Sequence, residues 1–359
     1  MKENQENSTI FVKRTYDKPP RKAKKTGLRI LIYLLAACLL AAGIYFVSTL
    51  LPDKKDHTPS GSLPTTQVLY LKAEDVQSIS VKNTASFTLS YTAENGNDSQ
   101  YIWKLEGVDP EVTDASLLQS YAEALLSIEA LRTMTGTEGD YGFLNDGSGI
   151  TITLTDGTKH TLQFGAESMD GIGNYMLVDN HTVYVVDSSL AEQAAATPSE
   201  FANLTVLKAL STEDYAEYVT DSTITGFDRF EITKKGSDTV VITAKRADDA
   251  FVYGIESPKS ATVAAKDMQP LLSLLQSGLT ADGLYSYGIC DPENTGRTIT
   301  YEQFKATAAY TFYIKLGDCE IELAVSSADD DGNRALVCKG KNATYQISET
   351  TIQEWVTLL

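Results

Sequence analysis

The strongest constraint on the fold is an apolar stretch close to the N-terminus. Residues 30–51, ILIYLLAACLLAAGIYFVSTLL, are 22 consecutive positions without a charge. As an α-helix they would extend roughly 33 Å, enough to cross a hydrocarbon core of about 30 Å. The stretch therefore predicts a membrane-spanning helix at residues 28–51, and the rest of the chain must fold outside the bilayer.

The charges on either side of this stretch indicate its orientation. Residues 1–29 hold nine Lys/Arg and three Asp/Glu, whereas the remaining residues hold 21 Lys/Arg and 45 Asp/Glu. Lys and Arg beside a span stay on the cytoplasmic side. We therefore expect residues 1–27 to be a disordered, basic cytoplasmic tail. Residues 52–66, rich in Pro, Ser and Thr, are predicted to be a linker to folded extracytoplasmic domains.

Two alternatives to an uncleaved anchor follow from the same stretch. A cleavable signal peptide has an apolar region of about 7–15 residues that ends in small residues, and this stretch is longer. Leu35-Ala36-Ala37-Cys38 matches the bacterial lipoprotein box, which would make Cys38 a lipidated N-terminus. A mature lipoprotein turns polar after its cysteine, whereas this chain continues with LLAAGIYFVSTLL. The uncleaved anchor is favoured, and both interpretations leave the same domains outside the membrane.

The residues after the linker repeat one pattern. Each half reads as three strands, a helix, a Tyr-Gly pair, four strands and a final helix, and the two Tyr-Gly pairs, at Tyr141 and Tyr287, are 146 residues apart. We therefore predict two tandem α+β repeats, residues 67–198 and 226–359, joined by a connector at residues 199–225. Strands joined by hairpin turns favour mostly antiparallel sheets with helices on one face.

The first half carries clear local signals. Alternating apolar and polar residues predict strands at 78–81, 87–91, 101–105, 150–154, 160–164, 174–178 and 182–186. Turns are predicted at Asn95-Gly96, Asp156-Gly157, Gly171–Gly173 and Asp179-Asn180. A helix is predicted from Thr113 or Asp114 to Leu131, because leucines and other apolar residues recur at helical spacing. Asp187 is predicted to cap the final helix.

The second half repeats these signals with one addition. Strands are predicted at 227–233, 239–245, 251–253, 311–316, 320–325, 334–338 and 344–347. Asp267 is predicted to cap a helix with Pro270 in its first turn, and Ser348 to cap the last helix. About 15 extra residues fall at Asn294–Ala308. The sequence leaves open whether this insertion is an interaction loop or a disordered tip.

The order of these motifs resembles a known bacterial family, the domain of unknown function numbered 4340. The resemblance covers roughly residues 67–355 and rests on Trp103-Lys104-Leu105, Tyr141–Leu144, Asp156-Gly157, Phe164-Gly165 and Val183–Val186. The Pro that usually follows Tyr-Gly is absent from the first half and present as Pro292 in the second. The resemblance implies an envelope-anchored protein found alongside ABC-type transporter components of the gliding-motility kind, and it implies no catalytic residue.

No catalytic, cofactor-binding or metal-binding residue is predicted. The three histidines are His57 in the linker and His160 and His181 near hairpin turns. Exposed turn positions explain the last two, although a site that His160 and His181 share with Asp156 or Asp179 stays an alternative. The chain has no G-x-S-x-G nucleophile elbow and no phosphate-binding P-loop motif.

The acidic run Asp329-Asp330-Asp331-Gly332-Asn333 could suggest a calcium loop. With Gly332 at loop position 6, position 12 is Cys338 instead of the required Glu. An acidic hairpin turn is favoured, with weak surface cation binding as the alternative. Outside the span, Cys290, Cys319 and Cys338 are odd in number and form no C-x-x-C. Free thiols are favoured, and a Cys319–Cys338 bridge stays open.

Composition narrows the function classes. The acidic exterior argues against nucleic acid and anionic lipid as partners. The 19 tyrosines fit half-buried strands, although they could also form a binding platform. We expect a non-enzymatic, single-pass membrane protein that acts as a scaffold or accessory protein of an ABC-type transporter or another envelope complex. The alternative is a binding module for wall glycan or peptide with a Tyr-lined cleft between the repeats, and a hydrolase built on paired carboxylates is a third class.

Overall fold

A computed structural model describes residues 65–94, 97–135, 141–144 and 148–358, without the side chains of residues 94, 97–100 and 295. These residues belong to one compact unit. The predicted tail and membrane span, most of the linker, and the predicted Asn95-Gly96 turn lie outside them. Within the described residues, no helix is both long and apolar enough to cross a membrane.

The first half forms a nine-stranded sheet. In chain order its strands are β1 (Thr66–Tyr70), β2 (Val76–Lys82), β3 (Phe87–Glu94), β4 (Asn97–Leu105), β5 (Ser127–Thr133), β6 (Gly149–Leu154), β7 (Lys159–Glu167), β8 (Asn174–Val178) and β9 (Thr182–Val186). Across the sheet they lie in the order β1-β5-β9-β8-β7-β6-β2-β3-β4. Every neighbouring pair is antiparallel. Helices α1 (Ala115–Leu126) and α2 (Ser188–Ala194) belong to this half.

The second half forms another nine-stranded antiparallel sheet. It contains β13 (Arg229–Lys234), β14 (Val240–Ala247), β15 (Ala250–Ser257), β16 (Ala261–Val263), β18 (Gly283–Tyr287), β21 (Tyr310–Leu316), β22 (Cys319–Ala328), β23 (Asn333–Cys338) and β24 (Ala343–Ser348). Their order is β16-β15-β14-β13-β21-β22-β23-β24-β18. Helices α3 (Ala265–Gln276), α4 (Tyr301–Thr307) and α5 (Glu349–Trp355) accompany it.

Three small two-stranded sheets are also present in the described structure. They pair β10 (Thr205–Leu207) with β17 (Leu279–Thr280), β11 (Val219–Thr220) with β12 (Thr223–Ile224), and β19 (Cys290–Asp291) with β20 (Asn294–Thr298). In both large sheets the first strand of the opening meander pairs with the first strand of the later four-stranded meander, as β2 with β6 and β13 with β21. The strand that follows the helix then pairs with the last strand, as β5 with β9 and β18 with β24. Mostly antiparallel sheets with packed helices are thus confirmed, whereas the repeat boundaries stay a prediction.

Alternation along the strands builds the core of each half. In β2, Ile79 and Val81 are buried while Ser78 and Ser80 lie on the opposite face. The buried side of this sheet packs against α1, whose Leu118, Leu125 and other residues contribute to the same apolar cluster. The predicted caps at Asp114, Asp187 and Ser348 are confirmed, because each side chain accepts a backbone N–H of its helix.

Two helix predictions were wrong in extent. Helix α1 ends at Leu126 instead of continuing to Leu131, because Ile128 and Ala130 alternate with more exposed residues in β5, which pairs with β1 and β9. Helix α3 begins at Ala265, two residues before the predicted cap Asp267. Pro270 therefore lies inside the helix instead of in its first turn, where it removes one backbone donor.

The insertion at Asn294–Ala308 is ordered. The position of its helix corrects the expectation that all helices pack on one face of the sheets. It forms β20 and α4, and Thr300 and Gln303 cap α4 with a reciprocal capping box. The fully buried Phe304 packs with Ala324 and Val337. Because Leu323, Leu336 and Cys338 belong to the main core, alternation places α4 on the opposite face of the second sheet. The helices therefore do not all pack on one face.

The segment between the two sheets enters both cores. Phe201 packs against Phe87 and Tyr121 in the first core, with ring centroids 5.7 and 5.0 Å away. Five residues later, Val206 is fully buried in the second core, and Val112 from the first half is buried there as well. The first residues of the predicted connector are therefore packed into the cores of the two halves.

Candidate functional site

The candidate site is a recess of about 370 Å³ on the outer face of the second sheet. We call it the insertion recess, because residues next to and within the insertion form one of its walls. It is lined by Tyr285, Cys290, Pro292, Glu293, Thr307, Ser326, Ser327, Ala328, Asp329, Asn333 and Ala335. Its volume is suited to a side chain or a small ligand.

Four elements position these residues. Edge strand β18 supplies Tyr285, and the turn between β22 and β23 supplies Asp329 and Asn333. The hairpin of β19 and β20 supplies Pro292 and Glu293, while α4 supplies Thr307. Because Tyr285 packs against the Phe304 cluster, docking of α4 fixes the recess as well as the helix.

A tyrosine–carboxylate pair forms the polar end of the recess. The Tyr285 hydroxyl donates a hydrogen bond to Asp329 Oδ2 at 2.8 Å. The backbone N–H groups of Asp331 and Asn333 donate to Asp329 Oδ1 at 3.0 and 2.8 Å. These three donors orient the carboxylate, so that Asp329 Oδ2 can accept one further hydrogen bond from a ligand.

The protonation states of this pair are well defined at neutral pH. Burial, followed by the neighbouring Asp329, raises the pKa of Tyr285 to about 12. The backbone donor at Asn333 and the Tyr285 hydroxyl lower the pKa of Asp329 below its ordinary value. The recess therefore presents a negative charge beside a protonated phenol, which suits an amine or a hydroxyl donor.

The wall behind the recess is held by a buried arginine. Arg334 forms an ion pair with Glu349 and donates to the Ser326 carbonyl at 2.6 Å. Its guanidinium also lies 5.2 Å from the centre of the Tyr310 ring. These contacts hold Ser326 and Ser327 in place and make the recess a preformed feature of the sheet.

The acidic run at 329–333 is a hairpin turn, as favoured from the sequence. Asp329 uses its carboxylate on backbone donors within the turn, and Gly332 has a positive φ of 80°. Across the described part of the chain, no group of three or more His, Cys, Asp or Glu could hold a metal ion.

The histidine alternative partly forms. His160 Nδ1 lies 3.1 Å from Asp179 Oδ2, and Asp179 Oδ1 accepts the Thr161 N–H at 2.8 Å. Asp179 and Asn180 both have positive φ, which is typical of a tight hairpin turn. Because Asp179 is engaged in holding this turn, the pair is explained structurally. His57 lies outside the described residues.

The three cysteines of the described chain, Cys290, Cys319 and Cys338, are free. Cys338 is buried, and burial raises its pKa to about 11. A thiol with so high a pKa is a poor nucleophile, so Cys338 acts as a small apolar core residue. The open alternative of a Cys319–Cys338 bridge is not formed.

The two Tyr-Gly pairs have positive φ at Gly142 and Gly288, at 72° and 98°. Tyr141 packs on the outer face of the first sheet, 4.8 Å from the Tyr175 ring. Tyr287 instead ends β18, packs against both cores, and donates to the Pro198 carbonyl at 2.7 Å. The two Tyr-Gly pairs therefore occupy different positions in their sheets, although they match in sequence.

Sequence reasoning did not identify the insertion recess. Tyr285 and Asp329 are 44 residues apart and meet only when the second sheet has formed. The one sequence feature that pointed to this region was the extra length at Asn294–Ala308.

Two further depressions, of about 490 and 480 Å³, lie on the first sheet, one around Thr151 and one around Arg132 and Asp170. Each of these three depressions belongs to one sheet, and the predicted Tyr-lined cleft between the halves is not among them.

Comparison with known proteins identifies a family. The family described as domain of unknown function DUF4340 matches residues 113–298. This range begins beside α1, ends with β20, and covers just over half of the chain. No curated protein and no solved structure matches the chain. The chain therefore belongs to the DUF4340 family.

Proposed function

We propose that this protein is a non-enzymatic, membrane-anchored scaffold or accessory protein of an ABC-type transporter or another envelope complex. In this proposal residues 30–51 anchor the chain as a single-pass span, with the N-terminus in the cytoplasm. The two sheets stand on the extracytoplasmic side and bind protein partners. The uncharged stretch and the charge difference around it support this topology.

The joint between the two sheets is the observation that carries the proposal. Phe201 lies in one core and Val206 in the other, while Tyr287 contacts both. The connector is also hydrogen-bonded to both halves, because the Asp114 N–H donates to the Phe201 carbonyl at 2.8 Å and the Lys341 ammonium donates to the Thr205 carbonyl at 2.5 Å. A joint that is both apolar and hydrogen-bonded makes the two sheets move together, as a scaffold requires.

Crosslinking in native membranes tests this proposal. The full-length protein would be crosslinked, purified in mild detergent and analysed by mass spectrometry together with its partners. Specific recovery of transporter subunits is the expected result. A matched control carries the same extracytoplasmic residues on an unrelated membrane anchor. Loss of the subunits in this control would place the contact in the span, and reproducible recovery of the protein alone would contradict the accessory role.

The insertion recess supports a second candidate function, a binding module for a wall glycan or peptide. The recess presents Tyr285, which combines an apolar ring with a polar tip, beside the charged Asp329. Titration of the full-length protein with envelope polymers should then give a saturable signal that Tyr285→Phe weakens. Tyr313→Phe, which removes a hydroxyl from the same sheet outside the recess, serves as the control. A titration without any saturable signal would exclude this function.

A further inference from the structure

A second depression, of about 490 Å³, lies on the outer face of the first sheet. We call it the hydroxyl trough and define it by Ser80, Thr88, Thr151, Thr161, Gln163 and Asn180. The strands below it place Ile79, Leu89, Ile150, Ile152 and Leu162 in the core on the other face. Alternation therefore directs the serine and threonine side chains of the trough away from the core.

Strand register aligns these hydroxyls into rows. Ser80 pairs with Thr88 on one side and with Thr151 on the other, and Thr151 pairs with Thr161. One row of four hydroxyl residues therefore crosses β3, β2, β6 and β7. A second row lies two residues further along, where Ser78 pairs with both Ser90 and Thr153. Neighbouring strands of a sheet lie about 4.8 Å apart, so each row extends across the sheet as a regular series of polar side chains.

Most of these hydroxyls are available to a ligand. Ser80 and Thr88 share a hydrogen bond of 3.2 Å. Within the described residues, the Thr151 and Thr161 hydroxyls make no hydrogen bond to other protein groups. Each hydroxyl can donate once and accept twice, and the amides of Gln163 and Asn180 at the rim add two donors and one acceptor each.

The charge of the trough differs from that of the chain around it. Among the described residues that line it, Lys82 is the only charged one and no carboxylate occurs. The chain after the predicted span carries 45 Asp/Glu against 21 Lys/Arg. A hydroxyl-rich depression with one lysine in its lining suits a ligand that is itself rich in hydroxyl groups, whereas the overall negative charge of the protein repels polyanions.

The second sheet shows that the fold does not require such a surface. At the corresponding position, Glu231 pairs with Val241 and Tyr313, and Tyr313 pairs with Glu322. Glu322 forms ion pairs with Lys305 and Lys339. The equivalent row of the second sheet thus carries charged residues, and its hydroxyls lie two residues further along, where Thr233 pairs with Thr311.

We propose that the hydroxyl trough binds a neutral polysaccharide, whose hydroxyl groups hydrogen-bond to the rows on β2, β3, β6 and β7. The hydroxyl rows match a chain of sugar units in donor and acceptor capacity, and no carboxylate occurs among the described lining residues. This proposal rests on the second candidate function, that of a binding module, and adds to the insertion recess a second site with its own ligand class. The insertion recess is not part of this site.

Affinity electrophoresis of the full-length protein in mild detergent tests the proposal. Native gels would contain a neutral polysaccharide, dextran or mannan, or an anionic one, alginate. We expect the neutral polymers to retard the protein and alginate to leave its mobility unchanged. The variant Thr151→Val/Thr161→Val replaces two hydroxyls with methyl groups of similar size. Because a neutral hydrogen bond contributes about fivefold to affinity, this variant should bind at least about tenfold more weakly.

A matched control variant and the pattern of results distinguish an error in the assigned site from an error in the assigned ligand class. Thr233→Val/Thr311→Val makes the same change on the second sheet and should bind as tightly as the unmodified protein. If dextran or mannan retards the protein and Thr151→Val/Thr161→Val binds equally well, the trough is not the site, although the binding module stands. If neither neutral polymer retards the protein, or alginate alone does, the proposed ligand class is wrong.

Discussion

At the residue scale, two sequence motifs of the first half depend on each other. The Tyr141 carbonyl accepts the Ala166 N–H at 2.8 Å, which brings residues 141–143 against β7. A Cβ on Gly165 would lie 2.2 Å from that carbonyl oxygen and 3.0 Å from the Phe143 ring. The Tyr-Gly segment therefore packs directly on the Phe-Gly segment, and Gly165 permits this close approach because it has no side chain.

Gly165→Ala should destabilise the protein by about 1–3 kcal/mol, the usual cost of forcing extra atoms into a packed contact. Gly254→Ala is the matched control, because a methyl group added to this strand glycine would have its nearest neighbour 3.7 Å away. Urea denaturation of both variants measures the difference. Equal stability of Gly165→Ala and the unmodified protein would contradict the role assigned to Gly165.

The Arg334–Glu349 ion pair predicts how stability depends on pH. The hydrogen bond from Arg334 lowers the pKa of Glu349 in the folded state. The pair therefore stabilises the fold fully above the pKa of an unfolded Glu, about 4.3, and this contribution is lost as the pH falls through the lower folded value. Removing the charge also leaves the buried Arg334 without its carboxylate partner.

Glu349→Gln should lower the free energy of unfolding at pH 7 by about 2 kcal/mol, which is less than for a fully buried pair because Glu349 is partly exposed. Between about pH 5 and pH 3 its stability should fall less steeply than that of the unmodified protein. Denaturation across this pH range measures both effects. Glu320→Gln, in the exposed pair with Lys315, should change little, and a similar loss in both variants would contradict the argument.

At the scale of elements, the insertion shows how a short helix becomes part of a site. Helix α4 has only seven residues, which is too short to be stable alone. It is held by its capping box, by burial of Phe304, and by the Lys305–Glu322 ion pair of 2.8 Å. Packing on the outer face of the sheet, and not helix propensity, therefore determines that this segment is ordered and forms a wall of the insertion recess.

Phe304→Ala should release the insertion, because deleting a buried phenylalanine costs about 3–5 kcal/mol. We expect amide hydrogen exchange to accelerate across residues 289–308 and in Tyr285, while β6–β9 of the first sheet keep their protection. Glu302→Ala, on the exposed side of the same helix, should leave exchange unchanged. Uniform acceleration over the whole protein would show that α4 is not an independently docked element.

At the scale of the whole molecule, the two halves share residues at their boundary. Val112 comes from the turn before α1 but is fully buried in the core of the second sheet. Residues 113 and 202 form an isolated antiparallel bridge nearby. The described chain is therefore one unit in which each sheet is stabilised in part by residues of the other half.

Val112→Ala should destabilise the second sheet by about 1–3 kcal/mol, although the residue precedes that sheet by more than one hundred positions. Hydrogen exchange in β21–β24 is the measurement, with the exposed Val252→Ala as the control. If only the first sheet responds, Val112 does not couple the two halves in solution.

Local signals in the sequence determined the strands with strong alternation, the hairpin turns between them, the caps at Asp114, Asp187 and Ser348, and the family. These features depend on neighbours within a few residues, so their physical cause is present in the sequence. The end of α1 could not be predicted, because Ile128 fits helical spacing as well as a strand and only pairing with β1 and β9 decides between them. Tertiary structure alone decided the face on which α4 packs, the joint at Val112, and the meeting of Tyr285 with Asp329. Each of these depends on contacts between residues far apart in the chain, and local propensity carries no information about such contacts.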